Sequence, residues 1–153
     1  MTREYNEVNL NLSVERVLQS VYALAAMRRY DRGDAGRPEP IFCHDSEDAL
    51  RRTMSAAMVN LAGDLFPLVT GLGTDNSDTK SITLRVPFGA EMEGVTPTCL
   101  LLLAENALVT ATLALATSGV EEVYWATRAT EAVRALRAPL DSPRGVRLAA
   151  GWY

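Results

Sequence analysis

Histidine, cysteine and lysine are scarce in this 153-residue chain, and their scarcity limits its chemistry. The single histidine, His44, lies between Cys43 and Asp45. Adjacent side chains diverge in both helices and strands, so these three residues cannot bring a nucleophile and a base together. Cys99, the second cysteine, has no CxxC spacing that would indicate a metal or redox motif. We therefore predict no catalytic residue, no cofactor and no metal site, and the protein is not expected to be an enzyme.

Basic charge is also limited, because the formal net charge is -4 and a single lysine stands against fourteen arginines. A chain of this charge does not attract nucleic acid or anionic lipid nonspecifically. The C-terminal quarter is nevertheless rich in arginine. We predict that these arginines belong to a protein interface, and a nucleic-acid-associated regulator remains an alternative. The residues are Arg128, Arg134, Arg137, Arg144 and Arg147.

The strongest positive feature is an apolar stretch over residues 98–117, in which Glu105 is the only charged residue. A helix of this composition is apolar on nearly every side, so it must be shielded by other helices, a partner subunit or lipid. Glu105 and Asn106 fall near the middle of the stretch, and a central carboxylate costs about 2.5–3.5 kcal/mol in a bilayer. We therefore predict a buried helix in a protein that does not enter a membrane.

Glu105 and Asn106 are accordingly predicted to be buried polar residues. A buried carboxylate is costly unless it is paired, and a salt bridge to an arginine is the expected solution. The candidates for this role are Arg16, Arg51 and Arg128. The alternative is a small-molecule binder or enzyme, built on a helical bundle, with a pocket near Glu105.

Three further helices are predicted from apolar spacing and capping residues. Ser13 caps a helix that ends between residues 29 and 31, and Asp45 or Ser46 caps a second helix that stops near Phe66 because of Pro67. The last helix covers residues 120–138. Its predicted inner face consists of Val123, Ala126, Ala129, Val133 and Leu136, with the arginines toward solvent.

Two short segments alternate polar and apolar residues, as strands do. They cover residues 7–12 and 81–88, and we predict that they pair with each other. Pro87 is expected at an edge, since proline cannot donate to a sheet ladder. The residues Gly71-Leu72-Gly73 lack the third glycine of a dinucleotide-binding motif, and we interpret them as a turn.

The sequence thus predicts a mainly α protein, a four-helix domain with a small two-stranded β element. Residues 1–138 form this single helical domain, and residues 139–153 form an extended C-terminal arm. Trp152 and Tyr153 in the arm are candidate interface anchors. The N-terminal residues are polar and lack the apolar core of a secretory signal, so we expect a cytoplasmic or virion-assembled protein.

Residues 45–118 combine an acidic-capped helix, a short strand and a helix that opens with Thr96-Pro97-Thr98-Cys99 followed by leucines. This order resembles small helical head-tail connector and neck proteins of tailed bacteriophages and prophages. The resemblance implies a ring-forming structural protein of the virion without active-site residues. It also implies that the partners are further copies of the chain and other virion or assembly proteins. From the negative net charge, we expect no specific nucleic-acid partner. The long final helix departs from the shorter connector forms.

Overall fold

The computed structural model describes residues 5–33, 40–73, 78–87 and 97–141. Within these residues four helices are present: α1 (Val14–Asp31), α2 (Glu47–Asp64), α3 (Pro97–Ala116) and α4 (Val120–Asp141). Three strands accompany them: β1 (Tyr5–Ser13), β2 (Val69–Gly73) and β3 (Thr79–Pro87). The predicted mainly α fold with a small β element is confirmed. The predicted C-terminal arm falls largely on residues 142–153, which lie outside the described residues.

The helix boundaries follow local chemistry. The Ser13 hydroxyl accepts a hydrogen bond from the Arg16 backbone N–H at 3.3 Å and caps α1 as predicted. Ser46 precedes α2 without a side-chain capping bond, and Glu47 and Asp48 supply negative charge to its first turn instead. α2 ends at Asp64, shortly before Pro67. α4 continues through Pro139 to Asp141, so the predicted end of this helix at residue 138 is wrong, and Leu140 in the additional segment is buried, with 1% exposure.

The sheet has the order β1-β3-β2 and is antiparallel throughout. Leu10 pairs with Ile82, and these side chains are buried against the helices. On the opposite face the Thr83 hydroxyl donates to the Asn9 side-chain oxygen at 3.2 Å. β3 is therefore the central strand, although we predicted Pro87 at an edge. Pro87 is tolerated in this central strand because β3 pairs with β2 only as far as Leu84.

The turn predicted at residues 71–73 is wrong, because these residues form strand β2. Gly71 pairs with Thr83 and Gly73 with Ser81. A Cβ atom on Gly71 would lie 3.2 Å from the Thr83 hydroxyl, and one on Gly73 would lie 2.6 Å from the Ser81 hydroxyl. The glycines thus make room for the side chains of the neighbouring strand. Because glycine is common in turns and rare in strands, the sequence did not indicate this third strand.

α3 is the central helix and contacts α1, α2, α4 and β1. Arg16 of α1 reaches Glu105 in the middle of α3, and Arg28 reaches Glu121 just beyond its end, so α1 and α3 run in the same direction. α4 returns antiparallel after the turn at Gly119, where φ is +66°. Arg137 near the end of α4 donates to the Asp64 carbonyl oxygen at the end of α2.

α4 presents a different face to the core from the one we predicted. Val123 is 66% exposed and Ala126 is also exposed, whereas Trp125, Ala132 and Leu136 are buried. The larger apolar surface of Trp125 explains this rotation, since burying an indole gains more than burying Val123. The predicted inner face is therefore wrong at its N-terminal end.

The shielding of α3 is incomplete within the described fold. Leu108 and Leu113 are fully buried, but Leu102 is 52% exposed and Leu115 is 46% exposed. Only 44% of the residues in the apolar segment from Thr98 to Ala116 are buried. By length and composition this helix could cross a membrane, a property it shares with the core helices of soluble proteins. α3 therefore carries apolar surface that its own neighbours leave uncovered.

Candidate functional site

A groove runs over α3 between α1 and α4. Its larger part has a volume of about 420 Å³, and an adjoining part of about 280 Å³ shares Leu24 and Asn106 with it. α1 contributes Ser20 and Leu24 to the walls, and α4 contributes Trp125 and Arg128. α1 and α4 are joined by ion pairs at one end of the groove. In the groove, one side of the central helix reaches the surface.

One stripe of α3 forms the floor of the groove, because its residues recur at helical spacing. Glu105 is 13% exposed and binds Arg16, with 3.2 Å between the guanidinium nitrogen and the carboxylate oxygen. Of the three arginines predicted as candidates, Arg16 is therefore the one that pairs with Glu105. Asn106 is exposed, so its predicted burial is wrong, since the groove leaves this position open to water. The floor residues are Leu102, Glu105, Asn106, Val109 and Thr110.

A chain of charged and aromatic groups closes the end of the groove. Glu121 is 8% exposed and accepts from Arg28 at 3.1 Å and from Arg32 at 3.0 Å. The guanidinium groups of Arg28 and Arg128 lie 3.7 Å and 4.3 Å from the centre of the Tyr124 ring. The hydrogen bond to Glu121 raises the pKa of Arg28, a group that is already charged at neutral pH. This network fixes α4 to the end of α1.

Four exposed apolar side chains flank the network, and we call them the apolar corner: Met27, Tyr30, Val120 and Val123. Met27 and Tyr30 are one helical turn apart on α1 and are 60% and 82% exposed. Val120 and Val123 have the same spacing on α4 and are 79% and 66% exposed. Arg28 and Glu121, which adjoin these pairs in the sequence, are in contact, so both pairs lie at the same end of the molecule.

Sequence reasoning missed both the network and the corner. The partnership of Arg28 with Glu121 joins residues 93 positions apart, and no local pattern indicates such a pair. The apolar corner could be recognised in part from the sequence of α1. Met27 and Tyr30 fall outside the apolar stripe of α1, where solvent-facing positions are ordinarily polar.

The predicted interface arginines do not form one basic face. Arg128 stacks on Tyr124, whereas Arg137 donates to the backbone carbonyl oxygens of Asp64 and Phe66. Nine positions separate Arg128 from Arg137, which places them on opposite sides of the helix. Arg134 is exposed. The remaining predicted interface residues, Arg144, Arg147, Trp152 and Tyr153, lie outside the described residues.

Tyr22 on α1 lies close to the start of α2. Burial raises its pKa above the ordinary value of 10.0, the charge of Glu47 raises it further, and the charge of Arg51 opposes them. The folded state thus holds the phenolic proton more tightly than the unfolded chain does. Stability from this group is complete below pH 10 and is lost as the pH rises from the unfolded pKa through the folded one.

We expect the replacement Tyr22→Phe to reduce the loss of stability above pH 10. Chemical denaturation at pH 8 and at pH values just above 10 measures this difference. Tyr30→Phe serves as the control, because it also removes only a hydroxyl group and Tyr30 is 82% exposed. Equal alkaline sensitivity of Tyr22→Phe and the wild type would contradict the assignment.

The chemistry available to these residues is limited. Among the described residues no group of three or more histidine, cysteine, aspartate or glutamate side chains could hold a metal ion. Cys43 is half-buried and Cys99 is exposed, and no disulfide joins them. Comparisons with protein-family models, with curated proteins and with solved structures give no match to this chain.

Proposed function

We propose that this chain is a noncatalytic structural protein that assembles with further copies of itself. The observation that carries this proposal is the apolar corner, beside a central helix that the fold leaves partly uncovered. Large exposed apolar side chains at one end of a molecule are a common feature of protein contact sites. The proposed interface is the surface of α1 and α4 around the corner.

The energetics of the corner favour a protein partner. Full burial of a valine or methionine side chain stabilises an association by about 1.5–3 kcal/mol, before the entropic cost of association is subtracted. Between the two apolar pairs, Arg28 and Arg32 both form ion pairs with Glu121, so each of these charged groups has a partner. A partner would therefore cover apolar side chains without meeting an unpaired charge in this network.

The two alternatives have less support from the geometry. Glu105 and Asn106 line the groove, as they would in a ligand site, but Glu105 already forms an ion pair with Arg16. The described arginines of α4 point in different directions, whereas a nucleic-acid surface needs a continuous basic face. Protein contact accounts for the exposed apolar residues, and neither alternative does.

The finer form of the proposal is a connector or neck component of a phage or prophage. The similarity of residues 45–118 to such proteins supports it. A ring of subunits requires two different surfaces on each protomer, because each copy contacts its neighbours head to tail. The apolar corner would supply one of these surfaces.

Native mass spectrometry and light scattering over a concentration series test the proposal. We expect species larger than a monomer for the wild type. Val123→Glu should shift the distribution to smaller species, because it would bury a charge in the proposed contact. Ala138→Glu is the matched control, since Ala138 is also exposed on α4 but lies near the other end of the helix.

A wild type that stays monomeric at high concentration would contradict self-assembly. An equal response of the two variants would show that the corner is not the contact surface. For the connector role, co-purification with capsid, portal or tail proteins is the expected result.

A further inference from the structure

The outer edge of β1 presents backbone groups that the sheet does not use. β1 pairs with β3 in one continuous register, and among the described residues no strand lies on its other side. The Val14 backbone N–H donates to the Asp78 carbonyl oxygen at 3.0 Å, one pair beyond the end of this ladder. Bonded and non-bonded pairs alternate in an antiparallel ladder. The even-numbered residues of β1 therefore bond to β3, and the odd-numbered residues point their N–H and C=O groups outward.

The outward groups belong to Glu7, Asn9 and Asn11, three exposed residues of β1. β3 shows the same alternation, because the N–H of the odd-numbered Arg85 donates away from β1, to the Leu68 carbonyl oxygen at 2.7 Å. Within the described part of the chain, no group bonds to the outward N–H and C=O of the three β1 residues. They form a row of donors and acceptors that another strand would satisfy.

The two edges of the sheet differ in how they are protected. Natural proteins commonly protect an exposed edge with a short strand, a bulge, proline or lysine. β2, at one edge, has five residues, and its register with β3 shifts between Val69 and Gly71. β1, at the other edge, has nine residues in regular register and contains no proline, lysine or arginine. β1 is therefore the edge suited to receive a further strand.

We propose that β1 pairs with β1 of a second copy in antiparallel orientation, about a two-fold axis at Asn9, so that the two sheets join into one. Glu7 of each copy then lies opposite Asn11 of the other. The three pairs nearest the axis exchange about six backbone hydrogen bonds. This inference rests on the proposed self-assembly and identifies one of its surfaces and the partner that covers it.

The sequence of β1 favours a second copy as the partner. The axis is perpendicular to the sheet, so Val8 of each copy meets Leu10 of the other on the apolar side. Glu7 is the only charged residue of β1, and its two copies are about 14 Å apart along the strands, beyond a Debye length of about 8–10 Å. The Asn11 amide can donate to the Glu7 carboxylate across the joined edges. A parallel pairing in register would instead place the two carboxylates side by side.

Proline at position 11 tests the contact, because it removes an outward N–H and leaves the bonds between β1 and β3 in place. We expect Asn11→Pro to weaken dimerisation about tenfold, as measured by sedimentation velocity over a concentration series. The measurement uses the Val123→Glu background, in which the apolar corner no longer contributes. Asn11→Thr is the matched control, since it keeps the N–H and suits a strand. Circular dichroism confirms that each variant is folded.

Amide exchange resolved by residue gives a second readout that needs no substitution in β1. In the dimer the N–H groups of Glu7, Asn9 and Asn11 should exchange slowly, and dilution to the monomer should accelerate them. The N–H groups of Leu10 and Leu12 should stay protected at both concentrations, because they bond to β3. This alternation along one strand distinguishes edge pairing from a general loss of structure.

Cysteine cross-linking tests the position of the axis. Asn9 lies opposite its own copy, with about 5.5 Å between the Cα atoms, which is within the range of a disulfide. Asn9→Cys should therefore form a covalent dimer under mild oxidation in a Cys43→Ser/Cys99→Ser background. Glu7→Cys is the control, since its two copies are about 14 Å apart. Non-reducing electrophoresis measures the yield.

The outcomes separate this inference from the proposed function. Wild-type assembly that responds to Val123→Glu but not to Asn11→Pro would overturn the β1 contact and leave the assembly role intact. Weakening by Asn11→Pro without a covalent dimer of Asn9→Cys would also overturn it, and would indicate that β1 receives a different strand or register. A monomeric wild type would overturn both.

Discussion

Replacing Leu108 with alanine is expected to lower the free energy of unfolding by about 2–5 kcal/mol. Leu108 is fully buried in the middle of α3, the helix that contacts α1, α2 and α4. Truncation removes apolar contacts and leaves a cavity that a close-packed interior fills only in part. Since a domain has about 5–15 kcal/mol in total, this is a large fraction of its stability. Urea denaturation followed by circular dichroism measures the change.

Leu102→Ala is the matched control on the same helix. Leu102 is 52% exposed on the groove floor, so the same truncation should cost less than about 1 kcal/mol. The measurement belongs at low concentration, where subunits separate and no partner covers the groove. Equal losses for the two variants would contradict the burial pattern of α3.

Replacing Trp125 with alanine is expected to cost about 3–5 kcal/mol. Trp125 is 4% exposed and lies between the core and the groove. Its ring meets Tyr124 edge to face, with 4.8 Å between the ring centres. Alanine would lose both the apolar contact and the aromatic pair, and it would enlarge the groove. Circular dichroism is the suitable probe, because the variant lacks this indole.

Two further variants check the role of Trp125. Trp125→Phe keeps an aromatic ring and should lose clearly less stability than the alanine variant. Val123→Ala, two positions earlier, should change stability little, because Val123 is 66% exposed. A loss below about 1 kcal/mol for Trp125→Ala would show that α4 does not pack on α3 through this residue.

The sequence indicated the helices well because their signals are local. Ser13, the apolar stripe of α1 and the acidic first turn of α2 act within a few residues, and the structure has helices where they predict them. β2 could not be predicted in the same way. Its residues Gly71 and Gly73 resemble a turn until the side chains of Thr83 and Ser81 are seen beside them.

The candidate surfaces were harder to predict than the fold. An arginine partner for Glu105 was foreseen, but the choice of Arg16 depends on how α1 lies on α3. Asn106 was expected inside because its neighbours are apolar, yet the groove between α1 and α4 leaves it open. Val123 was assigned to the inner face of α4 by spacing alone, whereas Trp125 is the residue buried on that face in the structure. Each error concerns the orientation of a helix, which periodicity fixes only to within a fraction of a turn.

During synthesis on the ribosome, β1 has no strand to pair with until β3 has emerged. Asn9 and Thr83 are 74 positions apart, so α1 and α2 are both complete before the sheet can form. Contacts of such long sequence separation form late, and an unpaired strand with an apolar side is prone to aggregate. We therefore expect the nascent chain to need chaperone protection at its first strand, and expression at reduced temperature should raise the soluble yield.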